Sequence, residues 1–107
     1  MKIDFNSMET KILPNFKGGE GEFAVKMFTD EAVKIMRGTL APGSSIGLHM
    51  HMGDAEIIYI LSGSGKCLFE GGEETLAEGD CHYCPEGREH SLINNGVEKL
   101  EFFAVVK

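Results

Sequence analysis

His49 and His51 stand two residues apart, and Glu56 follows them after a break that contains Gly53 and Asp54. On an extended backbone, residues two apart point to the same face, so both imidazoles present their lone pairs on one side. A Gly-Asp turn can fold the chain back so that the next strand sets a carboxylate beside them. Two imidazoles and a carboxylate are donors that divalent transition metals accept, so three candidate ligands converge from one hairpin-like segment. Further along, the turn Pro85-Glu86-Gly87 delivers His90 at the start of a new strand.

The elements that must position these groups are short. Turn residues recur at Gly18-Gly19, Thr29-Asp30, Pro42-Gly43, Ser62-Gly63, Gly71-Gly72, Gly79-Asp80, Pro85-Glu86-Gly87 and Asn95-Gly96. Between them, runs at 23–28, 32–41, 57–61, 66–70, 80–84, 90–93 and 100–106 are rich in Val, Ile, Phe, Leu and Tyr, which predicts strands. No sustained 3.6-residue periodicity appears. Many short strands with polar turns predict an all-β protein, an antiparallel sandwich or closed barrel. A length of 107 residues suits one core. We expect a barrel domain over 21–107, preceded by an arm over 1–20 that Pro14 and Gly18-Gly19 keep irregular. Its apolar residues Ile3, Phe5, Ile12, Leu13 and Phe16 are expected to cover a barrel face or to meet a neighbouring subunit.

The stretch Gly43–Gly63 reads G-x5-H-x-H-x4-E-x6-G, and Gly79–Asn94 reads G-x5-P-x-G-x2-H-x3-N. Together they resemble the two signature motifs of the cupin superfamily, with every fixed position filled. Those positions are Gly43, His49, His51, Glu56 and Gly63, then Gly79, Pro85, Gly87, His90 and Asn94. The resemblance implies a double-stranded β-helix, or jelly roll. It also implies one divalent metal ion held inside the barrel by His49, His51, Glu56 and His90. Three of the four histidines fall on these positions. The fourth, His82, has no motif role; it could stand behind a ligand, line the pocket or lie exposed, and the last two are expected.

Three imidazoles and one carboxylate leave two neighbouring positions open on an octahedral ion, for water or a bidentate ligand. The donor set admits Mn, Fe, Ni, Co, Cu or Zn. The expected function is that of a metal-dependent enzyme of oxygenase, isomerase or lyase type, acting on a small soluble metabolite bound at the metal. The alternative is a non-catalytic binding or sensor module with a metal-anchored ligand. Tyr59, Tyr83, His82 and Arg88 are the candidate proton-transfer groups, none at a position that specifies a reaction. With Glu56 facing the metal, Ile58 and Ile60 share its side and predict an apolar wall. Leu48, Met50, Met52, Ile57, Tyr59 and Leu61 alternate to the other side and predict a covered outer face, hence a homodimer or coverage by the N-terminal arm.

The remaining composition excludes several classes. A formal charge of −7 with only 10 Lys plus Arg argues against a nucleic-acid partner. No apolar run approaches the roughly 20 residues of a bilayer span, and the opening Met1-Lys2-Ile3-Asp4-Phe5-Asn6 lacks the core of a signal peptide. No membrane association and a cytoplasmic location are therefore expected. Cys67, Cys81 and Cys84 cannot all pair within one chain, which fits reduced thiols. Cys81 and Cys84, three apart on one strand, point to opposite faces and cannot share a metal.

Overall fold

Ten strands build two antiparallel sheets packed face to face in a computed structural model that describes residues 1–107. In chain order they are β1 (Lys11–Pro14), β2 (Glu22–Thr29), β3 (Lys34–Leu40), β4 (His49–Met50), β5 (Glu56–Ser62), β6 (Ser64–Phe69), β7 (Gly72–Ala77), β8 (Cys81–Cys84), β9 (Glu89–Ile93) and β10 (Leu100–Val106). One sheet has the order β1-β2-β3-β10-β5-β8 and the other β4-β9-β6-β7. This is the all-β jelly roll expected from the sequence.

Strict alternation drives the packing. Glu56, Ile58 and Ile60 on β5 are buried while Ile57 and Tyr59 are exposed, and Leu100, Phe102, Ala104 and Val106 on β10 are buried. The rings of Phe23 and Phe102 stack at 5.7 Å across β3. Gly38 makes room for them, because a Cβ there would strike both rings. Asn94 is fully buried and stitches the end of β9. Its amide donates to the carbonyls of Leu40 and Glu98, and its oxygen accepts from the Gly96 N–H.

Three strands lie outside the apolar runs. β7 is an edge strand exposed everywhere but at Leu76, and Glu73 and Glu74 protect the edge while Leu76 alone is too little apolar signal to mark a strand. It pairs with β6 across a two-residue turn in which Glu70 and Gly71 both have positive φ, the requirement of a type I′ hairpin. β4 is only two residues long. β1 pairs with β2 at the edge of the larger sheet, and Pro14 closes it at a position where an edge strand tolerates a missing N–H. Ahead of it, Phe5 meets Phe103 edge-on at 6.4 Å, covering part of the outer face of β10. No helix is long and apolar enough to cross a membrane.

Candidate metal centre

The four motif donors come from both sheets. His49 on β4 and His90 on β9 are direct cross-strand partners. His51 continues from β4, tied to the turn between β8 and β9 by its N–H to the Arg88 carbonyl and by the Gly87 N–H to its own carbonyl. Gly87, at φ +83°, supplies the left-handed residue that this turn needs. Glu56 opens β5 on the opposing sheet. The imidazole centroids form a near-equilateral triangle, 5.1 Å from His49 to His51, 4.7 Å from His49 to His90 and 4.9 Å from His51 to His90. One donor atom from each of His49, His51, Glu56 and His90 lies within 4.8 Å of the others.

The chemistry of these atoms decides what the cluster can hold. Nδ1–H of His49 donates to the Gly47 carbonyl at 2.7 Å, and Nδ1–H of His51 donates to the Asp54 carboxylate at 2.8 Å. A neutral imidazole has one N–H, so both rings turn an unprotonated Nε2 toward the centre. There, His51 Nε2 lies 3.1 Å from Glu56 Oε1 and 2.9 Å from His90 Nε2, and His90 Nε2 lies 3.0 Å from the same oxygen. Acceptors this close repel one another unless a cation sits between them. Adjacent donors on an octahedral ion with bonds of about 2.1 Å stand roughly 3.0 Å apart, whereas tetrahedral donors stand roughly 3.4 Å apart. The spacing among His51, His90 and Glu56 matches the octahedral value, and with His49 within 4.8 Å the four residues fit a divalent metal.

The electrostatics agree. Burial alone would raise the Glu56 carboxyl, but hydrogen bonds and charge from His51 and His90 overturn it and hold the group down at about 2. The hydrogen bond to Glu56 raises His51, against the opposing effect of burial and with help from Asp54. Burial lowers His49. In the absence of metal, the same cluster therefore draws a proton toward His51.

A cavity of about 230 Å³ opens onto the cluster. Its walls differ from expectation. Ile58 and Ile60 lie deeper in the core, and the cavity is lined instead by Phe23, Met27, Met36 and Ile46, with Lys17 and Lys34 as cationic members. Lys17 reaches this position from a turn in which Asn15 and Lys17 both take positive φ, at 51° and 56°. That turn is bound to the loop that carries His49. The Gly47 N–H donates to the Phe16 carbonyl at 3.0 Å, and a Cβ at Gly47 would strike the Lys17 carbonyl.

Other candidates fall elsewhere. Tyr59 and Tyr83 face outward from adjacent strands, and Arg88 is exposed beside Glu70 at 3.7 Å, so none of them lines the cavity. His82 is a correction. It is neither exposed nor in the cavity wall but 2% exposed behind His90, because its pairing with Ile58 turns it inward. Its Nε2 lies 3.1 Å from His90 Nδ1, and its Nδ1 lies 2.8 Å from Glu74 Oε1. Cys81 is exposed and Cys84 buried, as opposite faces require, and all three thiols are free. Burial pushes the Cys67 thiol up to about 12 and the Cys84 thiol to about 11.

Residues 36–106 match the model of the cupin domain, a span that contains all four clustered donors. The chain belongs to the cupin family. Among its relatives, this cupin is 38% identical to an oxalate-binding protein of Thermotoga maritima, an alignment covering 99% of this chain and 93% of that one. It is 33% identical to a germin-like protein of Morus alba over 66% of this chain and 36% of that one. Among solved structures, a predicted oxalate decarboxylase from Thermotoga maritima superposes with a TM-score of 0.93 at 33% identity, covering 99% of this cupin and 97% of that chain.

Proposed function

We propose that this cupin holds one divalent metal ion on His49, His51, Glu56 and His90, and that the metal, facing the cavity, binds a small dicarboxylate of the size of oxalate. The observation that carries the reading is the convergence of acceptor atoms, 2.9 to 3.1 Å apart, beneath a cavity with two lysines in its wall. His49, His51, Glu56 and His90 would hold the metal, which would supply Lewis acidity toward the ligand's carboxylates. Lys17 and Lys34 offset the ligand's remaining charge, and the apolar wall excludes water from it. The names of the Thermotoga maritima relatives, one oxalate-binding and one a predicted oxalate decarboxylase, support the same ligand class.

The test is calorimetry of protein loaded with Mn, Co or Zn. Oxalate is expected to bind the loaded protein and not the chelator-stripped one, with affinity reduced about tenfold by the double substitution Lys17→Met, Lys34→Met. Failure of oxalate and of related small dicarboxylates to bind the loaded protein would sink the reading. The enzyme reading, oxygenase, isomerase or lyase, starts from the same bound state. Loss of oxalate or release of CO2 by the loaded protein would assign turnover, and binding without either would assign a binding module.

The exposed side chains of Leu48, Met50, Ile57, Tyr59 and Tyr83 support a homodimer that covers them, checked by light scattering at micromolar concentration. Three free thiols support a reducing, cytoplasmic setting.

A further inference from the structure

Each imidazole of the cluster is held from behind by a different partner. His49 donates to a backbone carbonyl and His51 to a carboxylate, both of which can only accept. His90 is different. Its Nδ1 meets the Nε2 of another histidine, and a neutral histidine nitrogen is a donor or an acceptor depending on where its single proton sits. The direction of that contact sets whether His90 turns a lone pair or an N–H toward Glu56.

The residues behind His82 decide it. Glu74 Oε1, 2.8 Å from His82 Nδ1, is an acceptor and draws the His82 proton to Nδ1. That leaves His82 Nε2 as the acceptor for His90 Nδ1–H at 3.1 Å, with the Cys67 sulfur, whose S–H points at the Leu68 carbonyl, 3.5 Å away. The rings of His82 and His90 are stacked at 5.2 Å with 24° between planes, and Phe69 packs edge-on against His82, so neither ring is free to flip. His82 is 2% and His90 1% exposed, which removes water as a competing partner. No motif position requires either Glu74 or His82, and Glu74 reaches the site from the polar edge strand β7.

We propose that Glu74 and His82 are positioning residues that lock His90 in its Nδ1–H tautomer, so that its Nε2 lone pair faces the cluster and is available to a metal. The proposal rests on the metal reading above for its consequence, but the tautomer is a property of the chain alone. Partners of this kind, when removed, typically weaken metal affinity by about 10- to 100-fold.

The experiment compares wild type with His82→Leu, His82→Gln and Glu74→Gln in two readouts. The first is long-range nitrogen–proton NMR of the metal-free protein, which reports the protonated ring nitrogen of each histidine. The second is Co(II) and Zn(II) affinity by chelator competition. The expected result is a single Nδ1–H tautomer for His90 in wild type. His82→Leu is expected to give a mixture and weaken metal binding about 10- to 100-fold. His82→Gln, whose side-chain oxygen can occupy the place of Nε2, is expected to restore most of both. Glu74 is half-exposed, so Glu74→Gln is expected to leave folding intact and to give a smaller loss in the same direction. An unchanged His90 tautomer in His82→Leu and Glu74→Gln would overturn the proposal. So would a shifted tautomer with unchanged affinity, in a protein whose binding is still abolished by His51→Ala. If wild type binds neither metal, the metal reading fails by itself, and the NMR result alone decides whether Glu74 and His82 set the tautomer.

Discussion

Loading the cluster with Zn(II) or Co(II) should expel a proton, and the structure bounds how much. His51 keeps its Nδ1 proton on Asp54, so any second proton sits on Nε2, the atom that faces the cluster. Hydrogen bonding to Glu56 raises this group above its ordinary value of 6.5, so at pH 6.5 the metal-free ring carries more than about half of that second proton. Glu56, held at about 2, is already ionised and contributes none. A metal ion competes for the same lone pair, so loading at pH 6.5 should release at least about half a proton through His51. Apparent affinity should then fall by up to about tenfold, or 1.36 kcal/mol, for each further unit of acidification per proton displaced. Calorimetry in buffers of differing ionisation enthalpy measures the release. Asp54→Asn removes one of the groups that hold the proton and should lower the number. A release near zero at pH 6.5 in wild type would refute the account of the cluster as a set of converging acceptors.

The metal-free fold should show two opposing pH dependences. The His51 contribution is present below about 6.5 and lost as pH rises through its raised value, whereas that of Glu56 is present above about 4.5 and lost as pH falls toward 2. Burial lowers His49, so its cost is felt only below about 6.5, and a melting temperature that climbs steadily from pH 7 to 9 in chelator would contradict this. Asn94→Ala leaves two carbonyls and one N–H without their partner and should cost about 2–4 kcal/mol in denaturant unfolding, with metal affinity little changed. Gly47→Ala should cost about 1–3 kcal/mol through the clash with the Lys17 carbonyl, and unlike Asn94→Ala it should also weaken metal binding, by shifting the carbonyl that holds His49. Under native conditions an alkylating reagent should modify Cys81 alone, with Cys67 and Cys84 reacting only on unfolding, as mass spectrometry of the labelled protein would show.

What was legible in the sequence follows from parity. Strand alternation and turn spacing are local properties, so an all-β sandwich or barrel, the shared face of His49 and His51, and the opposite faces of Cys81 and Cys84 could all be read before any pairing was known, whereas the jelly roll was implied only by the resemblance of the two motifs to the cupin signatures. Residues whose roles depend on which strand lies beside which could not. Glu74 reaches His82 only because β7 pairs with β6 and closes over the same interior, and nothing in Gly72–Ala77 marks a buried contact. His82 turns inward through its register with Ile58. Lys17 enters the cavity from a turn whose positive φ values belong to Asn15 and Lys17; asparagine tolerates that region, but a lysine gives no sign of it. Asp54 was visible as a turn residue, but its hydrogen bond to His51 requires the turn to close as it does.

The junction at Gly47 sets a limit on how this protein can be recombined. The loop that carries His49 and the turn that carries Lys17 touch backbone to backbone there, with no side chain between them to absorb a change. A chimera that exchanges the His49–His51 loop with that of a relative would import one half of a fitted joint. Such exchanges should succeed only when residues 15–19 travel with the loop, so that two segments nearly thirty residues apart in the chain behave as one transferable part.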